Sequence, residues 1–86
     1  MADTNPHVPD GTARILDLLD RMIEHQRAKV LQTARRVLPN LTSDDLMNPQ
    51  DFRELDCVSE FHYEDGILAG YIAAQMAIRA ATKRNV

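Results

Sequence analysis

The sequence predicts an all-α fold: an antiparallel helical hairpin with a short helical connector, dimerising into a four-helix bundle. Three observations carry this. Two long segments repeat apolar residues at helical spacing with no internal proline. The stretch between them is rich in cap and turn residues. The second segment has more apolar surface than one neighbouring helix can cover.

Residues 1–11 hold Pro6, Pro9, Asn5, Gly11 and small polar side chains, and read as a disordered tail. His7 belongs to this tail and has no role assigned. Residues 12–86 then form one helical domain.

The first helix is expected over about 12–38. Thr12 or Asp10 offers an N-cap oxygen, and Pro39 marks the end because proline disfavours a helical residue before it. Leu16, Leu19, Ile23, Val30, Ala34 and Val37 recur in steps of three, four or seven. Ile15, Leu18 and Met22 run beside them as a second stripe. Asp17 and Arg21 form an i,i+4 pair of favourable order on the polar side.

The connector is expected to hold one or two helical turns within about 43–56. Thr42 precedes Ser43, Asp44 and Asp45 as a cap precedes an acidic first turn. Asn48 offers a second cap, with Pro49 suited to the first helical position. Leu46, Phe52 and Leu55 are expected to plug the end of the bundle.

The second helix is expected over about 59–82, capped by Ser59. Glu60, Glu64 and Asp65 lie near its positive end, and Arg79, Lys83 and Arg84 near its negative end. Its apolar residues do not form one stripe. Phe61, Leu68, Ile72 and Met76 share one side; Ile67, Tyr71 and Ile78 share another. Gly66, Gly70, Ala73 and Ala77 make a third. No charge interrupts the 13 residues from Gly66 to Ile78. A helix apolar on most sides is buried on most sides. At roughly 25 cal/mol per Å² of apolar surface, leaving it wet forgoes energy comparable to a small domain's whole stability. The predicted subunit interface is therefore Ile67, Gly70, Tyr71, Ala74, Ala77 and Ile78, with Ile15, Leu18 and Met22 from the first helix. Two glycines cost about 1 kcal/mol each in a helix interior, which suggests close backbone packing there. Gln26 and Thr33 project into the apolar face of the first helix, and Gln75 edges that of the second. A Gln26–Gln75 contact is the pairing considered.

Oligomerisation also follows by elimination. A chain of 86 residues is near the size at which a lone core becomes marginal. Cys57 is the only cysteine, so no disulfide forms within the chain. One thiol, no secretory leader at the start and no apolar run near 20 residues point to the cytoplasm and away from a membrane.

The chemical motifs are sparse. No Glu-x-x-His pair marks a di-iron bundle, and Cys57 has no Cys-x-x-Cys partner. His62 with Glu64 and Asp65 is dense in proton-transfer groups, yet no nucleophile, phosphate loop or dinucleotide fingerprint accompanies it. Cys57 beside Val58 reads as a small packed residue. No catalytic residue, metal, cofactor or small-molecule substrate is therefore assigned. The net charge of −3 opposes phosphate attraction, although Arg27, Lys29, Arg35 and Arg36 make a modest basic patch. Eight acids and one base, Arg53, lie between Asp44 and Asp65, a rim suited to a basic protein partner. The reading is a non-enzymatic interaction or scaffold module acting as a homodimer. A nucleic-acid-associated regulator comes second, and a metal-binding or catalytic bundle third.

Overall fold

A computed structural model describes residues 10–84, and among them there are two long helices and no strand. Helix α1 spans Asp10–Arg35 and helix α2 spans Ser59–Arg84. They pack side by side as an all-α hairpin. Cross-helix partners establish the direction. Asp20 and Gln26 climb α1, with Arg36 just past its end, and their partners Gln75, Glu64 and Glu60 run in the reverse order along α2. The hairpin is therefore antiparallel. The principal extents of 46 × 22 × 18 Å describe a rod.

The element boundaries differ from expectation at three places. Helix α1 already includes Asp10 and Gly11, so Thr12 lies inside its first turn rather than at its cap. The rest of the expected tail, including His7, lies outside the described residues. At the other end α1 stops at Arg35, short of Leu38. Pro39 disfavours helix at Leu38, and the chain tightens before reaching it. The Arg36 and Val37 amides turn to the Thr33 and Ala34 carbonyls, three residues back. Helix α2 continues to Arg84, past the expected end at Thr82.

The connector folds as three successive 3₁₀ turns, Asp45–Met47, Pro49–Asp51 and Arg53–Leu55. Asp44 holds the cap position of the first turn and makes no side-chain capping bond, while Thr42 and Asp45 bond reciprocally around it. The Thr42 Oγ1 accepts the Asp45 N–H at 3.2 Å, and the Asp45 carboxylate accepts the Thr42 N–H at 2.9 Å. This reciprocal pair has the bonding pattern of a capping box, with aspartate in the place of glutamate. Asn48 makes no capping bond with its side chain, although Pro49 does open the second turn. Ser59 is not the cap of α2 either. The Val58 carbonyl accepts the first helical bond, from the His62 amide, so the apolar Val58 occupies the cap position. The Arg35 guanidinium donates to the Leu41 carbonyl at 2.7 Å, tying the end of α1 to the start of the connector.

The hydrophobic core lies at the closed end of the hairpin. Val30, Ala34, Leu41, Leu55 and Phe61 are buried together, with Leu46, Phe52, Val58 and Leu68 packed around them. The connector does plug that end, and Leu55 is its most buried residue at 1 % exposure. Val37, expected in the apolar face of α1, is instead exposed beyond the helix end. In the open half, Ile23 is the one buried hydrophobic residue among those described.

Candidate functional site

The seam between the helices is narrower and more polar than the apolar pattern suggests. On α2 the positions turned to α1 are Phe61, Glu64, Leu68, Tyr71, Gln75 and Ile78, all buried or half-buried. Their alternating steps of three and four form an a/d heptad. On α1 the matching set is Leu16, Leu19, Ile23, Gln26, Val30 and Thr33. Gln26 is the central polar group. Its Nε2 donates to the Glu64 carboxylate at 2.7 Å and to the Glu64 carbonyl at 2.9 Å. Lys29 stands 3.9 Å from the same carboxylate. Gln75 donates to Asp20 at 2.6 Å, and Arg79 lies 3.8 Å from Asp20. The two glutamines therefore do not meet each other. Each is held by an acid on the opposite helix, because antiparallel register sets Gln26 across from Glu64. No buried side-chain polar atom is left unpaired among the described residues.

Glu64 is the seam residue that sequence reasoning missed. As an acid near a helix start it reads from the sequence as a complement to the positive helix end. The heptad was the available signal, once polar residues are counted along with apolar ones.

The seam divides the hairpin into two flanks. The first carries the predicted interface. Ile15 and Leu18 are 51 % and 50 % exposed, and Met22 is half-buried. Ile67, Tyr71 and Ile78 of α2 are half-buried on this flank, and Ala74 is exposed between them. Met22 and Tyr71 line one shallow depression with Arg21, His25 and Gln26, so both helices contribute to a common surface. Gly70 and Ala77 lie farther round α2, on the outer edge of this face, and both are exposed. A Cβ added at Gly66 or Gly70 meets no atom within 4 Å. The two glycines therefore make no close contact within the hairpin.

The second flank is a groove between α1, α2 and the connector, with a volume of about 570 Å³. Leu31, Leu46, Met47 and Leu68 line it, and Glu24, Arg27 and Asp65 stand at its mouth.

The chemically reactive candidates do not converge. The His62 ring bonds through Nε2 to the Asp56 carbonyl at 2.9 Å. A carbonyl only accepts, so Nε2 carries the proton. The ring also meets Phe61 edge to face, with centroids 5.5 Å apart. Glu64 turns inward to Gln26, and Asp65 belongs to the groove, so the three do not form one constellation. Cys57 is exposed rather than packed. Among the described residues no three of His, Cys, Asp and Glu gather as a cation would need. The residues of the basic patch are drawn into contacts within the hairpin: Arg27 with Glu24, Lys29 with Glu64, Arg36 with Glu60, and Arg35 with the Leu41 carbonyl. No described helix is long and apolar enough to cross a membrane.

Fold and site together define a two-helix hairpin with a core at one end and two open flanks. Comparison with protein-family models, curated proteins and solved structures gives no match to this chain.

Proposed function

We propose that this chain is a non-enzymatic interaction module that works as a homodimer, two hairpins joining through the Ile15–Leu18–Met22 and Ile67–Tyr71–Ile78 flank into a four-helix bundle. One observation carries the reading: the open half of the hairpin has apolar side chains on both helices but almost no core of its own. Ile15 and Leu18 remain half exposed, and α2 presents an uncharged face from Gly66 to Ile78. Fully burying a residue of this type is worth roughly 1.5–3 kcal/mol, so each of these two side chains still has about 1 kcal/mol to gain. A second copy supplies a matching uncharged face, and a two-fold axis makes the contact self-complementary.

Charge favours antiparallel docking of the two hairpins. The closed end, residues 27–65, has eight acids and five bases, a net of −3. The open end, residues 10–26 and 66–84, has four acids and five bases, a net of +1. Setting one copy's closed end beside the other's open end pairs opposite signs; parallel docking sets −3 beside −3.

Sedimentation equilibrium at micromolar concentration tests the assembly. A mass of twice 9.7 kDa is expected. A folded species of single-chain mass at those concentrations overturns the proposal.

A further inference from the structure

The groove on the second flank differs from the dimer face in shape and in charge. Leu31, Leu46, Met47 and Leu68 line it, and Ile72 and Met76 continue the apolar line along α2 at i+4 and i+8 from Leu68. Met47 and Met76, at 78 % and 63 % exposure, are two of the most exposed large hydrophobic residues among those described. Neither was singled out as an interface residue from the sequence. Methionine is flexible and polarisable, and it is over-used where a surface must mould itself to a partner.

The mouth of the groove is acidic. Glu24 and Asp65 line it, two acids against one base. Arg27 is the one cation in the lining, and it already stands 3.8 Å from Glu24. This charge decides the occupant. A second copy docked here by two-fold symmetry sets one net-negative mouth against another, which is unfavourable. A ligand with an apolar ridge flanked by cations satisfies both the lining and the rim.

We propose that this groove docks a basic amphipathic helix of a partner protein, its apolar ridge lying along Leu46, Met47 and Leu68 and its lysines or arginines meeting Glu24 and Asp65. An apolar trough walled by two helices and the connector suits a helix laid in the groove. The site stands apart from the dimer face, which is on the opposite flank. Peptide binding and subunit mass are separate readouts, so either proposal fails without the other.

The test uses the full chain and two fluorescein-labelled helical peptides of one amphipathic pattern, each about 18 residues long so that a helix can form. One is built from leucine and lysine, the other from leucine and glutamate. The leucine–lysine peptide is expected to bind, and added salt to weaken it, because its rim contacts are solvent-exposed charges. The leucine–glutamate peptide is expected not to bind. Met47→Lys adds a cation inside the site and is expected to weaken binding about tenfold, equal to 1.4 kcal/mol. Its melting temperature is expected to stay unchanged, since Met47 projects into solvent. Gln32→Lys adds the same charge at an exposed position outside the groove and is expected to leave binding unchanged. Equal binding of the two peptides, binding of neither, or equal loss in the two lysine variants overturns the proposal.

Discussion

Gly70→Leu separates a lone hairpin from a dimer by the sign of its effect. Within one chain the substitution is free of clash, since a Cβ at Gly70 meets nothing within 4 Å. It also replaces a poor helix former with a good one at an exposed helix position. If the chain acted alone, the variant would therefore gain about 0.8 kcal/mol, and its melting temperature would rise by roughly 4–6 °C. In the proposed dimer Gly70 borders the contact, and the leucine must enter space that the partner helix occupies. Overpacking costs about 1–3 kcal/mol per site, and two-fold symmetry counts it twice, or ~2–6 kcal/mol per dimer. A loss of that size raises the dissociation constant by at least about 30-fold. The assay is sedimentation equilibrium together with thermal melts followed by circular dichroism over a range of protein concentrations. The expected variant has a lower average mass, and its melting temperature depends more steeply on concentration. A variant of unchanged dimer mass that melts higher at every concentration removes Gly70 from the interface.

The remaining predictions concern the seam, the core and the thiol. Gln26→Leu leaves the buried Glu64 carboxylate with Lys29 alone and should cost about 2–3 kcal/mol in urea denaturation at fixed protein concentration. Adding Glu64→Leu should recover most of that loss, because two apolar groups replace two paired polar ones; strictly additive losses would show that the two residues are not coupled. Leu55→Ala truncates the largest fully buried side chain of the core and should cost roughly 3–5 kcal/mol, read from the same denaturation curve. Cys57 should react with a maleimide in the native protein as fast as in urea, and native protection would contradict its exposed position.

Much of this fold is written locally. The helix pair, the capped connector and the apolar plug of Leu46, Phe52 and Leu55 follow from spacing and cap chemistry, both set within a few residues. The Asp17–Arg21 pair closes at 2.7 Å for the same reason, since four residues are one helical turn. Boundaries were less legible. A proline four residues downstream can tighten a helix end without breaking the pattern that marks it, as happens after Arg35. Cys57 was misread because its neighbour Val58 is half-buried, and adjacent helical or turn residues face different directions.

The candidate site was legible in part. Ile15, Leu18 and Met22 stood out as a stripe, and so did Ile67, Tyr71 and Ile78. That the two stripes form one flank is a property of the rotation of α2 about its own axis. The Met47 groove left no mark in any single segment, since its walls come from α1, α2 and the connector.

The sequence by itself determined that this chain forms two long helices, the first amphipathic, and that the second has more apolar surface than the first can cover. Both are local properties, fixed by the order of side chains on a helix of known pitch. The tertiary structure alone decided which acid holds Gln26, which residues form the seam, and that the uncovered surface divides into an apolar face on one flank and an acid-rimmed groove on the other. Those depend on register and helix rotation, which are set by the packing of Leu55, Phe61 and Val30 at the closed end, far apart in sequence and joined only in space.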